Sequence, residues 1–402
     1  MNDNNSNPAT DGQVNETVSR EPLPTLDKHI CYLLEAPDRV GANIRQQMIA
    51  LRQLGAHVTA CFMAGDPEAF EPEGDTDDVE GLRLPEEALS GTRFRAALAL
   101  RKVLRERRFD LMVCDQYKAV TAAALATAIP FPGRPELYAL LRGYFAVDSG
   151  SRRRIYRLMR KRLTGIIALT HAQKERLINL MPWYPAERIH VVHNYIDSES
   201  LRAKMLDPTA ARKKLGIAMD AFVFGTIARF DPYKRITDLL HAFSLIKHHL
   251  PNGQLVIIGE GREGKTLREE AHNLGITDQV LFTGYIPKAS LYMKAFNVFV
   301  LPSEGDNFAR VLLEAMAAEI PVLGVAAGGT PEVLGPQGLL VPPRKPSELS
   351  ALMTNMVEMD ARRLKHLGCR GFHWSRETFF GDRLAEQLRH VFDRDSSLKR
   401  VS

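Results

Sequence analysis

Two segments of the sequence place charged side chains where an apolar run ends and a helix is predicted to begin. In the first segment, Arg229 and Lys234 lie five residues apart on a short turn that contains a proline. The planar fork of arginine and the compact ammonium group of lysine both bind phosphate oxygens, so the pair can hold a diphosphate without a metal ion. Two solvated surface charges are the alternative, and the pair alone does not decide between them.

The second segment, residues 302–317, starts as a polar, acidic turn and continues as an apolar helix. We predict that this helix begins near Asn307, that Asp306, Asn307 or Ser303 caps it, and that its free N–H groups attract an anion. Glu314 stands alone in the apolar stretch, and a buried carboxylate there needs partners such as sugar or ribose hydroxyls. It lies eight residues after Asp306, about 12 Å along a helix, which matches the span from the ribose of a nucleotide to an attached sugar. A capping aspartate and a surface glutamate are the alternative.

A glycine-rich turn at 259–266 follows a predicted strand, opens a helix and matches the phosphate-binding patterns GxxxxGKT and GxGxxG. A P-loop also needs a downstream strand that ends in an aspartate for magnesium, whereas the apolar run that ends in Asp115 lies upstream. A dinucleotide site needs an acidic residue at the end of the next apolar run, and 280–284 has none. We therefore predict that Gly259 lines a phosphate-facing cleft, with an ATP-dependent P-loop phosphohydrolase or kinase as the alternative.

A repeated pattern of short apolar run, turn and amphipathic helix must position these side chains. Strands that alternate with helices predict parallel, doubly wound sheets, and two such domains leave a cleft at the carboxyl ends of their strands, where these sheets bind ligands. The predicted fold class is α/β, with two Rossmann-like domains that face a central cleft. The predicted strands are 29–35, 55–62, 110–114, 137–141, 165–169 and 189–192 in the first half, and 222–228, 254–258, 280–282, 298–301, 321–324 and 338–341 in the second.

The 402 residues suit two domains rather than one. The first residues are polar and lack the apolar core of a signal peptide, so a disordered tail is predicted there. A helix over 375–392 has apolar residues at helical spacing and must dock on another element. The predicted divisions are a tail over 1–26, a domain over 27–195, a second domain over 196–373 with the hinge near 194–197, and a segment over 374–402 whose helix packs back toward the first domain.

Composition excludes several classes of protein. Hydrophobic residues make up 45% and charged residues 25% of the chain, as in soluble globular proteins. No apolar run reaches the length of a membrane span, about 18 residues. Cys31, Cys61, Cys114 and Cys369 lack metal-ligand spacing, which favours free thiols in a reducing compartment. No Asp-x-Asp motif or histidine cluster in the sequence calls for a metal, so no metal and no cofactor are predicted, and the protein is expected to be cytoplasmic.

Both charged segments resemble the retaining glycosyltransferases of family 4, described as glycosyl transferases group 1, which have the two-domain architecture called GT-B. The loop from Ala228 to Lys234 is similar to the Gly-Arg-Leu…Lys loop of that family. The segment from Asp306 to Ala317 resembles its Glu-x7-Glu motif followed by Ala-Met-Ala. The resemblance covers about residues 28–392, most strongly 222–343, and extends in order and spacing to 192–197, 258–261, 280–286, 328–332 and the closing helix.

The sequence departs from the family pattern at three points. Asp306 replaces the first glutamate of the motif, and Glu304, two residues earlier, is a competing candidate for its role. Ala309 replaces a glycine, which crowds the approach of the backbone to the donor. Where the family often has a histidine in the first domain, this chain has Arg142, which is predicted to take its place.

The resemblance implies transfer of a sugar from a nucleotide sugar with retention at the anomeric carbon. No protein nucleophile is involved, and the leaving diphosphate helps to deprotonate the acceptor. Arg229 and Lys234 would stabilise the diphosphate charge, Glu314 would hold the ribose, and Asp306 or Glu304 would hold the sugar hydroxyls. The further donor contacts implied are the main chain at Tyr285 and Ile286 for the base, together with Gly259, Asn307, Phe308, Ala309 and Arg310.

The resemblance also places the acceptor, a glycan or a lipid-linked molecule, in the first domain near Gly41 and Arg142. The net charge is +5, and basic stretches at 93–108 and 151–163 suit an anionic membrane surface or a phosphorylated acceptor. Solvated helices that pack on the sheet are the alternative, and no nucleic acid is expected because no binding motif is present. The second stretch sets one apolar side among its cations, formed by Ile155, Leu158, Met159 and Leu163.

These features predict a glycosyltransferase of cell-envelope polysaccharide or lipopolysaccharide biosynthesis, peripheral on the cytoplasmic face of the membrane. A P-loop phosphohydrolase or kinase, a non-catalytic nucleotide-sugar-binding module and a nucleotide-sugar epimerase are the alternatives. The first would lose ATP binding in Lys265→Ala, the second would bind donor without turnover, and the third would change the sugar without an acceptor.

Overall fold

The structure, a computed structural model, describes residues 23–91 and 93–398, with side chains described as far as Asp393. The predicted tail over 1–26 therefore lies, apart from its last four residues, outside the described residues, as does the end of the chain after residue 398. Leu26 is buried, and its N–H group donates to the carbonyl oxygen of Leu54 over 2.6 Å. The folded part of the chain thus begins before residue 27.

The first unit of the fold alternates strands and helices. Its elements are β1 (His29–Leu34), α1 (Ala42–Gln53), β2 (His57–Ala64), β3 (Asp78–Leu84), α2 (Phe94–Glu106), β4 (Leu111–Asp115), α3 (Gln116–Ala126), β5 (Glu136–Leu141), α4 (Gly150–Met159), β6 (Gly165–Ala168), α5 (His171–Leu180) and β7 (Ile189–Val191). Within the described residues, the seven strands of this unit form one parallel sheet in the order β3-β2-β1-β4-β5-β6-β7.

The second unit repeats the pattern and ends in a group of helices. Its elements are α6 (Ser198–Lys204), α7 (Pro208–Leu215), β8 (Phe222–Ile227), α8 (Ile236–Ile246), β9 (Gly253–Ile258), α9 (Gly264–Asn273), β10 (Val280–Gly284), β11 (Val298–Leu301), α10 (Arg310–Ala317), β12 (Val322–Val325), α11 (Thr330–Leu334), β13 (Leu339–Val341), α12 (Pro346–Glu358), α13 (Ala361–Phe379) and α14 (Arg383–Leu398). In the part of this unit that is described, six strands form a parallel sheet in the order β10-β9-β8-β11-β12-β13. No helix of the described chain has the length and apolar character needed to cross a membrane.

The central strands of both sheets are buried because helices cover the two faces. In β1, every residue from Ile30 to Leu34 is buried, and Cys31 and Leu33 face one apolar core while the other side chains face a second core. In both sheets the strand order reverses beside the first strand, between β1 and β4 and between β8 and β11. Such switch points are where doubly wound sheets bind ligands. The predicted fold class, two doubly wound α/β units, is confirmed.

The edge strand β3 is absent from the sequence prediction. Residues 78–84 alternate charged and apolar side chains, and none of them is fully buried. Charged side chains on an edge strand discourage pairing with other chains, so an edge strand has no continuous apolar run by which to be recognised.

The predicted helix over 375–392 is wrong, because the structure has two helices there. α13 ends at Phe379, the chain turns at Gly381 with a φ of +69°, and α14 begins at Arg383. A left-handed glycine ends a helix, but the apolar spacing continues across the turn. The apolar periodicity alone therefore predicted one continuous helix where the structure has two.

The last helix, α14, ties the end of the chain to the first unit, where it packs against α1. Leu388 and Val391 are buried in this contact. The Lys28 Nζ donates to the carbonyl oxygen of Phe392 over 2.8 Å, and the ring of Phe392 meets that of Tyr138 edge-on at 5.0 Å. The two units are thus joined at a second place besides the linker after β7.

Candidate active site

A cavity of about 620 Å³ opens at the carboxyl ends of β8 and β9, beside the switch point of the second sheet. Apolar side chains that line it include Ile227 and Ile258 at the strand ends and Ile286 after β10. Tyr285 is exposed at its border, and Glu314 of α10 contributes a carboxylate. The cavity has the volume of a small-molecule site.

The glycine turn after β9 borders this cavity and packs on the loop after β8. Gly259 has a φ of +138°, and a Cβ there would lie 1.9 Å from the carbonyl oxygen of Ala228. Gly261 has a φ of +156°, and a Cβ there would lie 2.7 Å from the backbone nitrogen of Phe230. The Lys265 side chain is 90% exposed and does not line the cavity. The turn therefore does not present its lysine to a phosphate site as a P-loop does.

Arg229 and Lys234 follow β8 but differ in their surroundings. The Arg229 side chain is 77% exposed, and its Nη2 donates to the Tyr233 hydroxyl over 3.2 Å and pairs with Asp231 over 3.1 Å. The hydrogen bond to Tyr233 raises the pKa of Arg229. Lys234 is only 12% exposed, and its Nζ donates to both carboxylate oxygens of Asp306, over 2.7 and 2.8 Å. The loop thus offers one exposed and one sheltered cation.

The acidic turn after β11 divides its carboxylates between two partners. Glu304 accepts two hydrogen bonds of 2.9 Å from Arg344, and these lower the pKa of Glu304. Asp306 faces Lys234, which lies 72 residues earlier in the chain. The structure thus joins Asp306 and Lys234, which the sequence analysis assigned to different parts of the donor, and turns Glu304 toward Arg344.

Helix α10 begins at Arg310, three residues later than predicted, with Ala309 at its N-cap position. No side chain of the described chain caps it, so the predicted capping by Asp306, Asn307 or Ser303 is wrong. The physical reason is that each of these three side chains has a partner elsewhere.

The side chain of Asn307 reaches across to the first unit. Its Oδ1 accepts a hydrogen bond from the Thr170 hydroxyl over 2.9 Å. Its Nδ2 donates to the side-chain oxygen of Gln173 over 2.7 Å and to the carbonyl oxygen of Arg142 over 3.1 Å. Because Asn307 is also buried, its amide links the two units rather than facing a ligand.

The other residues predicted around this turn have mixed positions. Phe308 and Ala309 are buried, and the ring of Phe308 packs against those of His193 and Phe379 rather than lining the cavity. Arg310 is partly buried, and its Nε is buried without a hydrogen-bond partner in the described chain. Of these three side chains, that of Arg310 retains a free polar atom.

Glu314 lines the cavity from the middle of α10. Burial raises the pKa of Glu314, and the charge of Arg310, one helical turn earlier, partly opposes this rise. Within the described residues, no protein group donates a hydrogen bond to its carboxylate. A half-buried carboxylate without a donor needs partners, and ligand hydroxyls in the cavity are suited to that role.

The two residues predicted on the acceptor side lie together. A Cβ at Gly41, which precedes α1, would lie 3.7 Å from Nη1 of Arg142. The Arg142 guanidinium follows β5 and donates two hydrogen bonds of 2.7 Å to Asp115, the last residue of β4. Burial raises the pKa of Asp115, and the charge of Arg142 opposes the rise. Asp115 was not predicted as a site residue, although it ends an apolar run and is thereby marked in the sequence.

A cluster of three further side chains, those of His171, His193 and Glu332, was not predicted from the sequence. Their donor atoms lie within 4.8 Å of one another, a grouping that could hold a metal ion, and the absence of a metal stays a prediction. The three residues come from the start of α5, the linker after β7 and α11. No spacing in the sequence indicates such a cluster, because its three residues come into contact only when the two units pack together.

Comparison with known families agrees with this geometry. Residues 40–195 match the family model described as glycosyl transferase 4-like domain, and residues 207–371 match the one described as glycosyl transferases group 1.

Two relatives show how far the similarity extends. N-acetyl-alpha-D-glucosaminyl L-malate synthase of Bacillus anthracis is 33% identical over 150 residues, which are 37% of this chain, and the chain spans only 39% of that protein's length. The GDP-mannose-dependent monoacylated alpha-(1-6)-phosphatidylinositol monomannoside mannosyltransferase of Corynebacterium glutamicum is 26% identical over 333 residues, which cover 78% of this chain and 84% of that one.

Among solved structures, Anabaena HepE in complex with UDP and glucose has the same fold. The TM-score is 0.75 at 22% identity, over 91% of this chain and 99% of that chain. The two family matches lie in chain order, one on each doubly wound unit, and the cavity lies within the second of them. Taken together, the two matches assign the chain to the glycosyl transferases group 1, with the two-domain GT-B architecture.

Proposed function

We propose that this enzyme moves a sugar from a nucleotide sugar to a glycan or lipid-linked acceptor, with retention at the anomeric carbon, in the biosynthesis of a cell-envelope polysaccharide such as lipopolysaccharide. The observation that carries the proposal is the cavity of about 620 Å³ that both Arg229 and the unpartnered Glu314 line. A cation for phosphate and a carboxylate for hydroxyls are the groups that a nucleoside diphosphate requires.

The nucleoside of the donor would occupy this cavity. Its ribose hydroxyls would satisfy Glu314, its base would contact the main chain near Tyr285 and Ile286, and its diphosphate would extend toward Arg229 and Lys234. Two similar proteins support a nucleotide donor, because the Anabaena protein was crystallised with UDP and the C. glutamicum relative is named as GDP-mannose-dependent. The bases of those two nucleotides differ, so a binding experiment must identify the base.

Transfer with retention requires the acceptor oxygen to attack from the face that the diphosphate leaves. The bond from C1 to the diphosphate oxygen breaks, a bond from C1 to the acceptor oxygen forms, and the acceptor proton passes to a diphosphate oxygen. Negative charge then develops on the diphosphate, and the sheltered ammonium group of Lys234 would stabilise it. Asp306 would accept hydrogen bonds from sugar hydroxyls, and Arg142, fixed by Asp115, would hold the acceptor.

A calorimetric panel of UDP, GDP, ADP and ATP, each with and without Mg²⁺, tests the donor site. We expect one nucleoside diphosphate to bind without Mg²⁺, and Arg229→Ala to weaken that binding about tenfold, because a charge-assisted contact to phosphate is lost. The identity of the tight-binding nucleotide names the base of the donor.

Lys265→Ala is the control for this panel, since Lys265 lies on the neighbouring turn with its side chain in solvent. Its affinity for the diphosphate should equal that of the wild type. Mg²⁺-dependent ATP binding that survives Arg229→Ala and disappears in Lys265→Ala would contradict the proposal and favour the P-loop alternative.

We also propose that the enzyme works on the cytoplasmic face of a membrane, held by one side of its first unit. Helices α2 and α4 both lie beside α3. Arg93 and Arg152, near the starts of α2 and α4, stack on the ring of Tyr117 in α3 at 4.8 and 5.4 Å. Three large apolar side chains are exposed on α2 and α4: Phe94 at 61%, Leu98 at 55% and Leu158 at 84%.

Some of the basic residues predicted to form this surface have partners elsewhere in the structure. Arg101 and Arg162 are partly buried and donate to other groups of the protein, and Arg107 is exposed but paired with Asp78, so these three are not counted for this surface. The predicted apolar side of 151–163 is also divided, since Leu163 is buried. We name one exposed group of side chains the basic apolar face; it consists of Phe94, Leu98 and Leu158 with Arg95, Arg154 and Arg157. Apolar side chains among arginines suit a membrane of anionic lipids.

Sedimentation with lipid vesicles tests the basic apolar face. Leu158→Glu should reduce binding to vesicles that contain anionic phospholipid about tenfold, because it removes an apolar anchor and adds a repelled charge. Nucleotide binding should not change.

Met219→Glu serves as the control, because Met219 is also an exposed apolar residue but lies in the second unit. It should bind vesicles like the wild type. Equal loss in both variants, or equal binding of the wild type to uncharged vesicles, would contradict the proposed membrane contact.

A further inference from the structure

A carboxylate of the second unit is hydrogen-bonded to the first unit at several points. Oε2 of Glu332 accepts from the backbone N–H of His171 over 2.7 Å and of Ala172 over 3.4 Å, the first two residues of α5. Oε1 lies 2.8 Å from Nδ1 of His171 and 2.6 Å from Nε2 of His193. The carboxylate therefore occupies the N-terminus of a ten-residue helix, where free N–H groups favour an anion. We call these contacts of Glu332 the clasp.

Gln387 of α14 determines which nitrogen of His193 carries the proton. Its Oε1 accepts from the backbone N–H of His193 over 2.9 Å, so its amide nitrogen faces Nδ1 of His193, also at 2.9 Å. An amide nitrogen donates, and Nδ1 must therefore accept. The proton of the neutral imidazole then lies on Nε2 and points at Glu332. Residues of α5, the linker, α11 and α14 thus meet in one hydrogen-bonded junction.

Two imidazoles and a carboxylate are also ligands that zinc prefers. A cation on Nε2 of His193 would force the proton to Nδ1, where it would face the N–H group of Gln387. The hydrogen bonds therefore favour a proton over a metal ion. Burial works against the ionisation of Glu332, but the hydrogen bonds from His193 and His171 outweigh it and lower the pKa of Glu332. The carboxylate is thus charged at neutral pH.

Hydrogen bonds of Thr170 and Asn307 connect the clasp to the segments that carry the proposed donor-side and acceptor-side residues. Thr170, directly before α5, accepts from the N–H of Gln173 over 3.1 Å and donates to Asn307 over 2.9 Å. Asn307 in turn donates to the carbonyl oxygen of Arg142 over 3.1 Å. Asn307 also follows Asp306 directly in the chain. The first turn of α5 is therefore bonded to the backbone that carries both the donor-side and the acceptor-side residues.

Gly329 allows the two units to approach at this point. A Cβ there would lie 1.7 Å from the carbonyl oxygen of Asn307 and 2.7 Å from Cγ2 of Thr170. Glu332 lies three residues later, in α11. The clasp and the Asn307 contact are thus parts of one close interface.

We propose that Glu332 is a positioning residue for the transfer reaction. By holding the first turn of α5 against the second unit, it sets the distance between Asp306 on the donor side and Arg142 on the acceptor side. This inference rests on the proposed function, which places donor and acceptor on different units. In the described chain, the nucleotide cavity is lined only by residues of the second unit. Loss of the clasp therefore slows transfer without weakening nucleotide binding.

Glu332→Gln tests this inference. An amide keeps the shape but presents an N–H group to donors that already point at it, so the clasp weakens. We expect kcat to fall about tenfold through misplacement of the reactants, and the Kd for the nucleoside diphosphate to stay within about twofold. Small-angle X-ray scattering should show a larger radius of gyration for the variant, both with and without nucleotide.

Two further variants make the test decisive. Glu319→Gln is the matched control, because Glu319 is a partly buried glutamate paired with Arg202 inside the second unit, and it should change none of the three readouts. His171→Ala removes one donor at the exposed end of the clasp and should give a smaller fall in kcat. It keeps the test informative if Glu332→Gln does not fold.

Three results would overturn the inference: wild-type kcat in Glu332→Gln, a fall in kcat with unchanged scattering, or parallel loss of kcat and nucleotide binding. Zinc that binds the wild type, stimulates it and fails to bind Glu332→Gln would also overturn it and identify a metal site. If the wild type turns over no nucleotide sugar while Glu332→Gln still expands in scattering, the proposed function fails and the clasp stands.

Discussion

Replacing Lys234 by alanine is expected to lower kcat about 1,000-fold, with a smaller effect on nucleotide affinity. Lys234 is 12% exposed, so its charge acts at a position with little water, and its hydrogen bonds to Asp306 fix its direction. The leaving diphosphate gains charge in the transition state, which is why a fixed cation affects the rate more than the binding. The measurement is the initial rate of nucleoside diphosphate release from the nucleotide sugar that calorimetry identifies.

Lys265→Ala is the matched control, a lysine-to-alanine change on a neighbouring turn with its side chain in solvent, and its kcat should be unchanged. Lys234→Ala also leaves Asp306 unpaired, which lowers stability. Adding Asp306→Asn should restore the melting temperature but not kcat. Recovery of kcat along with stability would show that Lys234 supports the fold rather than the leaving group, and would contradict the assignment.

Most strands could be predicted because helices on both faces of a sheet force its strands to be apolar over their whole length. The predicted strand 298–301 agrees with β11 at both ends. The edge strand 78–84 could not be found in this way, since part of its surface faces water. The turn at Gly381 was missed because helices docked on both sides of it continue the same apolar spacing. In both cases the position in the tertiary structure, and not the local sequence, determines the element.

In the candidate site too, some features could be predicted from the sequence and others could not. Charged residues that follow apolar runs, such as Lys234 and Asp306, could be predicted to face the cleft because parallel strands end at one edge. Their pairing could not be predicted, because the two lie 72 residues apart. The contact between His171 and Glu332, which lie 161 residues apart, was not predicted at all. Spacing reports only neighbours within one helix or strand, whereas these contacts depend on how two units meet.

Glu314→Gln is expected to weaken binding of the nucleoside diphosphate about 10- to 100-fold, because ribose hydroxyls lose a charged acceptor. The same change should raise the melting temperature. Glu314 is half-buried without a hydrogen-bond donor in the described chain, so its charge destabilises the free protein, and an amide removes that cost. Calorimetry and thermal unfolding on the same samples measure both effects.

The raised pKa of Glu314 predicts how both the stability and the nucleotide affinity change with pH. Burial raises the pKa of Glu314 in the folded protein above its value in the unfolded chain. Between these two pKa values the folded state holds more protons than the unfolded state, so the contribution of Glu314 to stability falls as pH rises and is least favourable above both. The stability advantage of Glu314→Gln should therefore grow across this window and stay constant above it. Nucleotide affinity of the wild type should weaken as pH falls through the folded pKa, and the variant should lack this dependence.

Glu269→Gln provides the comparison, because Glu269 is an exposed glutamate of α9 whose ion pair with Lys265 is long, at 3.7 Å. It should alter neither stability nor affinity. A more stable Glu314→Gln with unchanged affinity would show that the carboxylate is buried but does not contact the nucleotide. Weaker binding with lower stability would show that Glu314 has a protein partner in solution. Higher stability together with weaker nucleotide binding, in the same variant, would indicate a carboxylate that lacks a protein partner and binds the ligand instead.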